Sequence, residues 1–256
     1  MKSFIDSSLF GFMFPFILFC SVAVGFYFAG RYQKFRKKAW VASGVESSII
    51  GFFALLLSFS FLSANNEYRR RIAMVHEESD ILAQMRRESL LMTEKTKTNV
   101  HEYLLNYLEL KTHFANDKIS RTEWQSKAEA VNGKMLDYIV QQPDSTNFTV
   151  AQQNQLLQKL NQLSSVFYRN QYSYNERTPG IIMLLLIISS LIVGLLVGFM
   201  NGFEDKKHYL VPLIYIVIVS FTMQSIRDLD DPLKGTIRPS VSNLEALYNN
   251  LKKSSR

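Results

Sequence analysis

The sequence predicts an all-α integral membrane protein: four transmembrane helices, with a helical extramembrane domain between the second and the third. Three observations predict it. Four apolar runs, at 9–30, 40–64, 180–200 and 209–226, each have the length a helix needs to cross a hydrocarbon core of about 30 Å. The stretch from about 65 to 178 is polar, yet carries apolar residues at helical spacing. The net charge of +7 is gathered beside the apolar runs, the usual place for Lys and Arg in a membrane protein, so it gives no reason to invoke nucleic acid.

The domain boundaries follow: 1–64 for spans one and two, 65–178 for the helical domain, 179–227 for spans three and four, and 228–256 for a C-terminal tail. The first run is too long for a signal peptide. Its basic residues follow it and no small-residue cleavage site is evident, so it reads as a retained span. The single cysteine, Cys20, excludes an intrachain disulfide and a cysteine-based metal cluster.

Four spans put both termini and the central segment on one side, and the short loops 31–39 and 201–208 on the other. The loops carry Arg31, Lys34, Arg36, Lys37, Lys38, Lys206 and Lys207, against Lys2, Arg227, Lys234 and Arg238 near the termini. That balance favours cytoplasmic short loops. Arg69, Arg70 and Arg71, just past span two, argue the other way.

Span two meets no Gly or Pro between Asn65 and Met92, so one helix is expected to leave the membrane and continue for several turns. Val100, Tyr103, Leu104, Tyr107, Leu108 and Phe114 form the next apolar stripe. Ser120 and Glu123 suggest a capping box, opening a helix with Trp124, Ala128, Val131, Met135 and Ile139 on one face. A turn is expected at 141–147. Thr149 and Gln152 then open a helix with Leu156, Leu160, Leu163 and Phe167 on its apolar face. These stripes are the pattern of a bundle core.

Candidate functional residues cluster at the membrane edges. Asp228, Asp230 and Asp231 stop span four, on the same side as Arg69, Arg70 and Arg71 at the end of span two. Carboxylates beside a low-dielectric slab need partners, and guanidinium forks suit them. The expectation is a clamp between the two exits, with Pro232 stopping the helix and Gly235 permitting a tight turn. A ring of charge at a pore mouth is the functional alternative. Glu46 is the sole carboxylate inside a span, about 9 Å in from Trp40 at helical rise. It reads either as a buried structural partner or as a residue of an ion or proton path. Ser43, Gly44, Ser47, Ser48 and Gly51 around it are small. Glu46, Gly51 and Ser58 are the candidate path residues, and the wetness of positions 46, 50, 53 and 57 discriminates a path from a packed face. Ser190, Gly194 and Gly198 recur every fourth residue in span three, a stripe for close helix contact. Ser220, Thr222 and Gln224 add polar groups to span four. His76 to Asp80 falls short of the zinc-protease signature because Asp80 stands where the second His belongs. With no glycine-rich phosphate loop and no nucleophile–base pattern, the sequence argues against an enzyme and calls for no cofactor or metal.

Together these pieces resemble the bestrophin-like membrane domain, a family classed as of unknown function. The resemblance rests on Glu46 and the glycines early in span two, the Phe/Ser-rich exit, Arg69 to Arg71, Glu77 or Glu78, and Arg87. It rests also on "LIVGLLVGFMNGF" and on "RDLDDPLKGTIRPS", where Asp231 stands in a place the family commonly gives to a basic residue. The resemblance implies kinship with bestrophin anion channels: oligomeric pores, a path lined by span two, and a helical portion on the cytoplasmic side, against the charge count. The expected function is therefore a homo-oligomeric ion channel or ion-permeable pore in the plasma (inner) membrane, with the lipid bilayer, other copies of the chain and inorganic ions as partners. The alternative is a non-transporting scaffold or sensor whose helical domain binds a partner.

Overall fold

The structure is a computed structural model that describes residues 9–36, 44–141, 149–176, 178–203, 208–231 and 237–254. Trp40, the expected turn after Gln141, Pro232 and Gly235 lie outside the described residues, as do Lys37, Lys38, Lys206 and Lys207. The described elements are helices α1 (Phe10–Arg36), α2 (Val45–Ser89), α3 (Glu94–Ala115), α4 (Arg121–Val140), α5 (Val150–Ser173), α6 (Gly180–Gly202), α7 (Leu210–Asp230) and α8 (Ser242–Ser254). Four of them, α1, α2, α6 and α7, are long and apolar enough to cross a membrane.

The chain divides into two compact units. The span unit comprises 1–68 and 177–238; the helical unit comprises 69–176 and 239–256. Helix α2 runs through the boundary without a break for 45 residues, about 67 Å at helical rise.

In the span unit, α1 and α6 are in close backbone contact. Along α1 the buried positions are Phe10, Phe14, Leu18, Val22, Gly25 and Ala29, one stripe at helical spacing. Gly25 meets α6 directly: a Cβ there would overlap the Leu195 carbonyl oxygen and lie 2.7 Å from the Phe199 nitrogen. Without water to drive helices together, such close packing of small residues is what joins them in lipid. Phe53 and Ala64 of α2 enter the same core beside Met183, Leu186, Met223 and Ile226.

The helical unit is built on the predicted stripes. Val100, Tyr103, Leu104, Tyr107 and Leu108 of α3, Trp124, Ala128, Met135 and Ile139 of α4, and Leu156, Leu160, Leu163 and Phe167 of α5 are all buried in one cluster. The Thr149 hydroxyl accepts the Gln152 N–H, and the Gln152 side chain accepts the Thr149 N–H, a complete capping box. At α4 the Ser120 hydroxyl accepts the Glu123 N–H, while the Glu123 carboxylate pairs with Lys127 at 2.7 Å.

Residues 242–254, placed by the sequence reading in a tail, form an amphipathic helix. Leu244 and Leu251, two turns apart, enter the helical core, and Asn243 meets His76 at 3.1 Å. Its apolar residues are few, so the run looks solvated until the surface that receives them is seen.

Candidate functional site

Helix α2 carries most of the candidate residues, and its span half is unlike the other spans. Phe53, Ser60 and Ala64 are its buried positions there. Ser47, Ser48, Gly51, Phe52, Ala54, Leu55, Ser58, Phe59, Phe61, Leu62 and Ser63 are exposed. Nothing lies within 4 Å of where a Gly51 Cβ would stand. The hydroxyls of Ser48 and Ser58 donate to the carbonyls of Gly44 and Ala54, four residues back on the same helix. Glu46 is half-buried. The face at 46, 50, 53 and 57 turns toward the bundle, because Phe53 is 4% exposed and Ile50 and Leu57 pack on the core. The open face of the span half lies instead at 51, 55, 58 and 62.

The stripe on α6 faces two neighbours. Ser190 is buried and its carbonyl accepts the Tyr215 hydroxyl of α7. Gly194 has the Ser21 side chain and the Tyr215 ring 3.4 Å from a notional Cβ, and the Ser21 hydroxyl donates to the Leu191 carbonyl at 2.6 Å. At Gly198 a Cβ would overlap the Val22 carbonyl oxygen. Gly25 and Gly202, missed in the sequence reading, extend the same contact. Gly202 lies four residues beyond Gly198, which is the signal that could have found it.

The charged residues past the span have definite partners. Arg70 pairs with Glu176 at 2.9 Å, with both side chains about half exposed. Arg71 is buried and donates from Nη2 to the carbonyls of Ser173 and Glu176, each at 3.3 Å. Glu77 pairs with Arg169 at 2.6 Å. Arg69 and Arg87 are exposed. In the span unit, Asp230 Oδ1 accepts both the N–H and the hydroxyl of Thr178 at 2.8 Å. Asp231 is buried and caps α7, its N–H reaching the Arg227 carbonyl, while Asp228 is half-buried. The sequence reading expected these arginines and aspartates to face one another. Within the helical unit, Arg70 and Arg71 find partners at the end of α5, and within the span unit Asp230 finds Thr178.

A second charged group was not foreseen. Glu78 is 1% exposed; its carboxylate accepts the Tyr107 hydroxyl and the Lys111 ammonium, each at 2.7 Å. Lys111 lies 5.2 Å from the centre of the Trp124 ring. The signal was present. Arg71, Met74, Val75, Glu78, Ile81, Leu82 and Met85 share one stripe of α2, and Lys111 continues the α3 stripe. A charge at a core position of an amphipathic helix announces a buried partner.

Burial pulls the Lys111 ammonium down, but the Glu78 carboxylate more than offsets it, and the net shift is upward from 10.5. Burial, and then the Glu78 charge, raises Tyr103 and Tyr107 above the ordinary 10.0; burial also raises Tyr174. Groups held above their unfolded values bind more protons when folded. Their stabilisation is complete below the unfolded value and is lost as pH rises past it. The helical unit should therefore show no pH dependence from these groups up to about pH 9 and lose stability steeply above about pH 10. Circular dichroism melts across pH 7–11 check this; a flat melting temperature through pH 11 would contradict it.

A family model for the Bestrophin-like domain matches residues 14–244. No curated protein matches the chain. A mutant of a bacterial bestrophin homologue from Klebsiella pneumoniae superposes with a TM-score of 0.72 at 15% identity, over 97% of this chain and 97% of that one. A second mutant of that homologue gives 0.70 at 15% identity, over 94% and 98%. A structure described as a membrane protein gives 0.68 at 15% identity, over 97% and 96%. These likenesses concern the fold, and the family match spans almost the whole sequence, so the chain, with its four apolar helices, is a membrane protein that belongs to the Bestrophin-like domain family.

Proposed function

We propose that the chain is one subunit of a homo-oligomeric ion channel whose path is lined by the span half of α2. One observation carries the reading. The open faces of α1, α6 and α7 are made of bulky apolar side chains such as Phe12, Phe16, Ile181, Ile188, Leu213 and Phe221, as lipid contact requires. The open face of α2 interleaves Ser48, Gly51, Ser58 and Ser63 with Phe52, Leu55, Phe59 and Leu62. Small and hydroxylic residues there suit close approach of other copies and a narrow, partly polar path. The family membership supports the same reading. The length of α2, more than twice a bilayer core, supports a reading in which its second half is extramembrane, in a multi-pass protein of the plasma (inner) membrane. Glu46 stands near one mouth.

The test uses cysteine substitution in a Cys20→Ser background, because Cys20 is itself exposed. Cysteines at 51, 55, 58 and 62 should react with a charged thiol reagent in the assembled protein and block current in planar bilayers. Cysteines at 53, 60 and 64 should stay inert. Glu46→Gln should change conductance or selectivity. Silent bilayers from a correctly assembled oligomer, with all seven positions inert, would favour the non-transporting scaffold.

A further inference from the structure

The buried stripes of α3 and α4 meet in the core of the helical unit and leave a gap beside it. Tyr103 donates to Asn132 Oδ1 at 2.8 Å and Thr96 meets Tyr138 at 3.2 Å, so the two helices run antiparallel. The gap between them is a groove of about 230 Å³. Asn99, Glu102, Tyr103 and Asn106 form its α3 wall; Val131, Lys134, Met135 and Tyr138 form its α4 wall. That volume falls below the roughly 300–1,000 Å³ of a drug-sized site and suits a molecule the size of an amino acid.

Hydrogen bonds have already sorted the two walls by polarity. Tyr103 is buried and its one hydroxyl proton is committed to Asn132, so its oxygen can only accept from a ligand. Asn99 donates from its amide to the Lys95 carbonyl at 2.9 Å, and its Oδ1 is left to accept. Glu102, on the same wall, is an acceptor when ionised. Acceptors therefore converge on about one turn of α3. Lys134 is the charged donor of the α4 wall. Elsewhere on these helices exposed acids take lysines: Glu94 pairs with Lys97 at 3.2 Å and Glu123 with Lys127 at 2.7 Å. Among the described residues, Glu102 and Lys134 pair neither with each other nor with a third group. Opposite charges held apart on two walls are complementary to a ligand that carries both signs.

We propose that this groove binds an α-amino acid as its zwitterion. The ammonium has three N–H donors, which meet the Glu102 carboxylate, the Tyr103 oxygen and Asn99 Oδ1. The carboxylate meets the Lys134 ammonium. Val131 and Met135 receive an apolar side chain. The site lies wholly within the helical unit and is independent of ion conduction.

Equilibrium dialysis of the full chain in detergent against radiolabelled L-leucine, L-methionine and L-phenylalanine tests it. At least one of them should bind saturably below about 10 mM. The matching amine, which lacks the carboxylate, and the matching acid, which lacks the ammonium, should each bind at least about tenfold more weakly. Glu102→Gln should weaken the amino acid about tenfold and bring it level with its matching acid. Lys134→Met should bring it level with its matching amine. Both residues are exposed, so each variant should keep the helix content of the wild type by circular dichroism. No saturable binding of any of the three amino acids would overturn the site. So would variants that leave binding unchanged, or that weaken amino acid, amine and acid by the same factor.

Discussion

Glu78→Gln should destabilise the helical unit by about 3–5 kcal/mol at pH 7, the largest effect expected of any single isosteric change in this protein. Glutamine keeps an oxygen for the Tyr107 hydroxyl and preserves the volume. It removes the charge and the second carboxylate oxygen that Lys111 faces at 2.7 Å in a buried site, and turns an amide N–H toward the ammonium in their place. The ammonium then stays charged without a counterion or gives up its proton. Giving it up at pH 7 costs about 1.4 kcal/mol for each unit below 10.5, about 5 kcal/mol in all, which sets a ceiling on the loss. The deficit should therefore shrink by about 1.4 kcal/mol per unit as pH rises toward 9, a signature that a packing defect would not show. Lys111→Met in the same chain should recover most of the loss, because an apolar replacement of a buried pair is often neutral. Denaturant melts of the wild type, both single variants and the double variant measure the coupling. Additive effects would mean that the two groups do not stabilise each other.

Gly198→Val should separate α1 from α6 and cost at least about 3 kcal/mol, or prevent assembly. The obstacle at Gly198 is the Val22 carbonyl, part of a helix backbone that cannot swing aside as a side chain can. Gly198→Ala already introduces the overlap. Gly30→Ala, also on a membrane helix but with nothing within 4 Å, is the matched control and should be neutral or gain about 0.5–1 kcal/mol. Thermal melts in detergent, followed by size exclusion, separate the two. Equal melting temperatures for Gly198→Val and the wild type would show that the helices do not depend on this contact.

Helix boundaries and core faces were legible because their signals are local. A run of apolar residues reports a span, a 3.6-residue stripe reports a buried face, and Thr149 with Gln152 reports a helix start. Gly198 was legible for the same reason: small residues four apart lie on one side of a helix. Charged partners were not. Arg70 and Glu176 are 106 residues apart, and Arg121 and Asn175 are 54 apart. Several carboxylates could satisfy each arginine on composition alone. The sequence reading set Asp228, Asp230 and Asp231 by depth in the membrane, and nothing local in it announced the tie of Asp230 to Thr178.

By itself the sequence determined that this chain forms four apolar helices with a helical bundle between the second and third, because hydrophobic burial and helical periodicity act over a few residues at a time. Only the tertiary structure decided which face of α2 stays open, that Glu78 finds Lys111, and that the C-terminal run folds onto the bundle. Each of those depends on what lies opposite in space. A burial site or an ion pair is a property of two surfaces, and one surface read alone does not name the other.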